Sequence, residues 1–179
     1  MQRIFLVGFM GAGKTTLGNF MQDNYDFSFI DLDHYIERRF FKTINALFDT
    51  YGEEGFRQLE KEMLHEVADI ENVIIATGGG TPCFFDNMDY MITKGTTVFL
   101  DVPHDELLNR LEQAKSKRPL LKDKNKEEIA LFIEQSMQKR RPFYEKATLT
   151  IDTTLMYTKE DIATIAEKVL DFTHNALHK

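Results

Sequence analysis

The sequence has little cysteine, no excess of positive charge and no long apolar run. Its 179 residues include one cysteine, Cys83. A single thiol builds no internal disulfide, and such usage fits a reducing cytoplasm. Lys and Arg number 22 against 29 Asp and Glu, a net charge of −7. General binders of nucleic acid or of anionic membranes need the opposite balance to displace counterions, so the charge argues against both partner classes. A local basic cluster can still hold a small phosphorylated ligand. No apolar stretch approaches the length of a membrane span. The apolar start, residues 1–10 with Arg3, runs straight into Gly11, Gly13 and Lys14, so it reads as a buried strand and not as a signal peptide. Internal repeats are lacking as well.

What is present is alternation. The hydrophobic fraction, 42%, is that of an ordinary folded protein. The length suits one domain, residues 1–179. Short apolar runs predict strands at residues 4–7, 27–30, 73–76, 97–100 and 149–151. Between them lie helical patterns. One begins at Lys14. A second covers residues 53–70, with Phe56, Leu59, Met63 and Val67 on one face. The last places Ile162, Ile165, Ala166, Val169 and Leu170 on one stripe, behind a capping pair of Thr158 and Asp161. This order predicts an α/β layer structure around a mostly parallel sheet, with ligands bound beyond the carboxyl ends of the strands. Residues 115–128 are rich in lysine and lack apolar periodicity. They read as a solvated loop or, given their length, as a lid.

Residues 8–15 read G-F-M-G-A-G-K-T and match the phosphate-loop pattern G-x-x-x-x-G-K-[ST]. The glycines let successive backbone N–H groups point inward at phosphate oxygens. The helix that follows aims its positive end at the same place. Lys14 supplies a full charge for the β- and γ-phosphates, and Thr15 a hydroxyl for Mg²⁺. A random chain of this length would contain the pattern roughly once in 200 cases. Its position between a predicted strand and a predicted helix narrows the odds further, so nucleotide binding is expected.

Four further groups bear on the acceptor. Asp31 and Asp33 end the second predicted strand, where residues two apart share a side; paired acids there also serve as turn or cap residues. In G-E-E-G-F-R-Q-L-E, residues 52–60, Arg57 sits beside the apolar stripe and has Glu53 or Glu60 as a helical partner. Gly78, Gly79 and Gly80 follow the third strand and bring bare backbone towards the cleft, or form a flexible turn. Lys117, Arg118, Pro119, Leu120 and Leu121 lie in the lid segment, and Lys139, Arg140, Arg141, Pro142, Phe143 and Tyr144 come later. Such runs are often solvated faces, yet phosphoryl transfer needs cations around the moving group.

In this order and spacing the set resembles the shikimate kinase family, over nearly the whole chain. The resemblance rests on the phosphate loop, D-x-D, G-E-x-x-F-R-x-x-E, the triple glycine, R-P-L-L and K-R-x-P-x-Y. It implies a three-layer P-loop kinase fold: a central parallel five-stranded sheet flanked by helices, with a shikimate-binding subregion at about 31–62 and a mobile lid at about 112–126. It implies transfer of the γ-phosphoryl group of MgATP to the 3-hydroxyl of shikimate, by a monomeric cytoplasmic enzyme of aromatic amino acid biosynthesis. ATP would lie on Gly11, Ala12, Gly13, Lys14, Thr15 and Thr16, with Arg110 near its adenine or phosphate end. Thr15 and Asp31 would hold hydrated Mg²⁺. Asp33, Arg57 and Arg140 would grip shikimate, with backbone contacts from Gly78, Gly79 and Gly80. Lys14, Asp33 and Arg118 would carry the transfer.

The chemistry agrees with a carboxylate-bearing polyol. Each arginine offers planar donors to a carboxylate, and Asp33 accepts from ring hydroxyls. One departure is visible. Family members often carry a basic residue after the last strand, where this chain reads Thr153-Thr154-Leu155-Met156. Related small-molecule kinases, of the gluconate or adenylate type, are the nearest alternatives. An adenylate kinase should show a nucleotide-acceptor signature, which is missing, and a gluconate kinase should not combine the arginine motif with this triple glycine. A non-catalytic nucleotide-binding regulator would not need Lys14, Thr15, Asp31, Asp33 and Arg118 together.

Overall fold

The computed structural model describes residues 2–115 and 119–176. Five strands form where the apolar runs lie: β1 (Arg3–Val7), β2 (Ser28–Asp31), β3 (Val73–Ala76), β4 (Thr96–Asp101) and β5 (Leu149–Asp152). All neighbours pair in parallel, in the order β2-β3-β1-β4-β5. The seven α-helices among the described residues are α1 (Lys14–Asn24), α2 (Leu32–Phe40), α3 (Ile44–Ala68), α4 (Asn87–Lys94), α5 (His104–Gln113), α6 (Lys126–Tyr144) and α7 (Lys159–Ala176). None is long and apolar enough to cross a membrane.

The central runs β1, β3 and β4 are apolar on both faces because both faces are covered. Along β1, Ile4 and Leu6 point into one core with Leu17 and Met21 of α1, Leu111 of α5 and Val169 of α7. Phe5 and Val7 point into the other, with Leu32 of α2, Phe56 and Leu64 of α3 and Met91 of α4. The alternation follows from the two-residue period of a strand. Because every strand runs the same way, the loops after β1, β2, β3 and β5 open on one edge of the sheet. That edge is where such folds bind ligands.

Several expectations shift. The second strand spans Ser28–Asp31, one residue later than the 27–30 read from apolarity. The helix expected over 53–70 is the later part of α3, which begins at Ile44 behind a Thr43 cap. The two parts meet at Gly52, whose φ of 69° and ψ of 179° interrupt the helix in a region where glycine carries no Cβ penalty. The segment 115–128 is not all loop. Leu121 is fully buried in the first core, and α6 starts at Lys126 behind an Asn125–Glu128 capping box. Residues 116–118, and with them the expected site residue Arg118, lie outside the described residues.

Candidate active site

The phosphate loop leaves β1 at Gly8 and enters α1 at Lys14. Gly13, the N-cap of α1, has φ 99°, a left-handed conformation that costs glycine little. A Cβ there would lie 2.0 Å from Met156 Cε, so the loop after β5 is packed directly on the glycine. Lys14 Nζ donates to Gly8 O at 2.8 Å and Phe9 O at 3.0 Å, which bends the ammonium back over the loop. Ala12 is buried, and its carbonyl accepts from Thr153 Oγ1 at 3.1 Å. A cavity of about 450 Å³ opens beside the loop, lined in part by Gly11, Gly13, Lys14, Thr15 and Thr16. Asp31, Asp33, Gly78 and Gly79 line its other side.

The two acids reach this cavity by a route different from the one expected. Asp31 ends β2 and is also the N-cap of α2, accepting from His34 N at 3.3 Å. Asp33 lies in the first turn of α2, so strand periodicity is not what brings the pair together. The chain turns between them, and their surroundings differ. Asp31 Oδ2 accepts from Thr15 Oγ1 at 2.9 Å. Asp33 sits deeper, though part of it still reaches the cleft. Burial, then the neighbouring carboxylates of Glu60 and Asp31, push its carboxyl up to about 6, with Lys14 opposing them.

The triple glycine makes the acceptor side. An added Cβ on Gly78 would meet Asp33 Oδ1 at 2.7 Å; one on Gly79 would meet Arg140 Nη1 at 3.2 Å; one on Gly80 would meet Arg57 Nη2 at 2.9 Å. Each glycine thus admits one of the three side chains expected to hold the acceptor. Arg57 is wedged among Phe48, Phe56 and Phe84, its guanidinium 4.1 Å from the Phe84 ring centre. It donates to Glu60 Oε2 at 2.8 Å. Glu60 is 1% exposed and also accepts from Thr81 Oγ1 at 2.6 Å. The structural and functional readings of Arg57 are therefore not alternatives, since the ion pair aims the guanidinium at Gly80. Arg140 and Tyr144 stand one turn apart on α6. The Tyr144 hydroxyl donates to Gly79 O at 2.5 Å, which ties the glycine loop to that helix. Burial pushes the Tyr144 phenol well above its usual range. The Cys83 thiol, pushed up to about 11 by burial, feels the charges of both Arg140 and Arg57, so the two cations converge on this corner.

Arg110 lies on the opposite side of the phosphate loop. Its guanidinium donates to Gly11 O at 3.2 Å, Thr153 O at 2.7 Å and Thr154 O at 2.9 Å, and Nε donates to Glu106 Oε1 at 2.6 Å. The sequence singled out Arg110 but not this bracing role. It also passed over Glu60 as a site residue, together with Thr81 and Tyr144. All three act through contacts between distant segments that spacing does not reveal; only the Glu60 position, three after Arg57, carries a local signal.

The shikimate kinase family model matches residues 10–172. The chain belongs to the shikimate kinase family. It is 51% identical over 170 residues to a shikimate kinase from Parabacteroides distasonis, covering 95% of this chain and 98% of that one. The crystal structure of shikimate kinase from Bacteroides thetaiotaomicron superposes with a TM-score of 0.90 at 49% identity, covering 96% of this chain and 97% of that one. A shikimate kinase from Acinetobacter baumannii in complex with shikimate superposes with a TM-score of 0.83 at 33% identity, over 100% and 96% of the two chains. Family membership makes the phosphate loop that of an ATP-dependent kinase and the five-stranded sheet that of the P-loop kinase fold.

Proposed function

We propose that the protein transfers the γ-phosphoryl group of MgATP to the 3-hydroxyl of shikimate, releasing shikimate 3-phosphate and ADP. One observation carries the reading: Asp33, Arg140 and Arg57 each lie against one glycine of the triple, and Asp33 with the first two of those glycines lines the cavity that also holds Lys14. Two guanidiniums beside a carboxylate suit an acceptor bearing one carboxylate and several hydroxyls. Arg57 and Arg140 bind the carboxylate. Asp33 orients the attacking hydroxyl and accepts its proton as the oxygen–phosphorus bond forms and the bond to ADP breaks. Backbone N–H groups of residues 11–16 and Lys14 hold the phosphates in line, so positioning and charge supply most of the rate.

Mg²⁺ fits the donor set. Thr15 and Asp31 offer a hydroxyl and a carboxylate, hard oxygens 2.9 Å apart beside the phosphate loop, and magnesium is held by few protein oxygens plus water and phosphate. Bound there, it would neutralise charge on the phosphates. We further propose that Arg118 acts on the transferred phosphate and that residues at about 112–126 serve as a lid. We also propose that the protein acts in the cytoplasm, in keeping with its single cysteine, and as a monomer, which light scattering on the purified protein tests.

A coupled ADP-release assay with shikimate, quinate and gluconate tests the reading. ADP release that depends on shikimate and is far slower with gluconate is expected. Release independent of any acceptor, or fastest with gluconate, would overturn it.

A further inference from the structure

Arg141 follows Arg140 in the basic run of α6, yet it meets a different partner. Its Nη1 donates to Asp101 Oδ1 at 3.1 Å and its Nη2 to Asp101 Oδ2 at 2.7 Å, a fork-to-fork pair. Its Nε donates to Glu145 Oε1 at 2.7 Å. The guanidinium carbon lies 5.7 Å from the Phe99 ring centre. Phe99 and Asp101 are two apart on β4 and share a face of the strand. The Tyr144 ring packs on the same Phe99, with 5.3 Å between centres. β4 therefore holds the C-terminal end of α6 at two points, one apolar and one ionic.

The ionic point is itself fixed. Asp101 pairs with Asp152 of β5, and its carbonyl accepts from Thr153 N at 2.9 Å. The helix above it has a weak place. Pro142 lies inside α6 and lacks the N–H that would close the ladder onto the preceding turn. This end of α6 thus depends on outside contacts more than an unbroken helix would. Arg140 is carried by it. Arg57 is aimed by its own ion pair with Glu60. Arg140 has no ion pair with a carboxylate among the described residues and rests over Phe9, its guanidinium carbon 5.6 Å from the ring centre. The backbone of α6 therefore decides where Arg140 stands against Gly79.

We infer that Arg141 is a positioning residue for the acceptor: its pair with Asp101 locks the end of α6 onto β4 and so holds Arg140 in place for the acceptor carboxylate. This rests on the shikimate kinase reading above. The Arg141 side chain is 44% exposed, so the pair adds little to stability; its effect falls on acceptor binding. Small misplacement of a binding group is costly, since the geometry of the bound complex is what the site supplies.

Steady-state kinetics on the full chain test this. Arg141→Ala and Asp101→Ala should each raise KM for shikimate about fivefold or more. We expect kcat and KM for ATP within about twofold of the parent, and a melting temperature nearly held. The two substitutions together should cost no more than either alone, because each removes the same contact. Added to Arg140→Ala, Arg141→Ala should change kcat/KM for shikimate by less than about twofold, since the group it positions is gone. A rise in shikimate KM below about fivefold in both single variants would overturn the inference. So would additive losses in the Asp101–Arg141 double variant, the full loss on the Arg140→Ala background, or a fall in kcat at constant KM. The parent is the control: a parent that turns over shikimate beside unaffected Arg141 variants sinks this inference alone, whereas a parent that does not use shikimate sinks the kinase reading with it.

Discussion

Asp31 and Asp33 show how two like residues acquire different chemistry. Asp31 touches Thr15 and caps α2, whereas Asp33 lies deep against Glu60 and near Lys14. Asp31→Asn should raise the Mg²⁺ requirement and recover part of its rate in excess metal. Asp33→Asn should lose about 10²–10⁴ in turnover and gain nothing from metal. A magnesium titration of both variants checks this, and rescue of Asp33→Asn alone would reverse the roles. Asp33 also burdens the fold. Its carboxyl rises from an ordinary value of 3.8 to about 6, so the folded state holds the proton more tightly than the unfolded chain. The penalty is absent below about 3.8, grows as pH rises and is complete above about 6. Asp33→Asn should therefore stabilise the ligand-free protein at pH 8 by about 1 kcal/mol, the full shift being discounted for solvent in the cleft. Thermal melts at pH 8 and pH 4 check the sign. A gain larger at pH 4 would contradict it.

At the scale of elements, the loop after β3 and the later part of α3 work as one unit. Glu60 of α3 holds both Arg57 and Thr81, and Thr81 N closes the turn onto Gly78 O at 3.2 Å. Gly80 has φ −91° and ψ −26°, a conformation alanine adopts freely. Gly80→Ala therefore leaves the backbone unstrained and acts through its Cβ on the wedged guanidinium. It should weaken shikimate binding about tenfold, or ~1.4 kcal/mol, with the melting temperature held. Glu60→Ala should do both kinds of damage, since it strands a buried cation; about 3–5 kcal/mol of stability should go with it. Calorimetry and melts on the two variants separate these outcomes. The central strands β1, β3 and β4 were legible because each is a run buried on both faces; the edge strands β2 and β5 are partly exposed. The early half of α3 was not legible, because Gly52 interrupts the pattern and Leu47 is the only buried residue of residues 44–51. The D-x-D pair was rightly placed in the cleft for the wrong reason: a cap and a helical first turn, not a strand face, point both acids inward.

For the whole molecule, the parallel sheet places loops far apart in sequence on one edge. The phosphate loop, the β2 end and the triple glycine could be recognised by their residues alone. The pairing of Gly78 with Asp33, Gly79 with Arg140 and Gly80 with Arg57 could not, because it depends on how α2, α6 and α3 pack around that edge. The same holds for Arg110, whose bonds to Thr153 and Thr154 cross more than forty residues. α3 and α6 bring Arg57 and Arg140 against Gly80 and Gly79, where the proposed mechanism has both bind one acceptor carboxylate. Calorimetric titration of shikimate into Arg140→Ala tests it most directly, with ATP binding measured on the same preparation. Loss of one charge-assisted contact at a sheltered site should weaken shikimate binding by about 2–4 kcal/mol and leave ATP affinity nearly unchanged. Shikimate affinity equal to that of the parent, in a folded variant, would contradict the account.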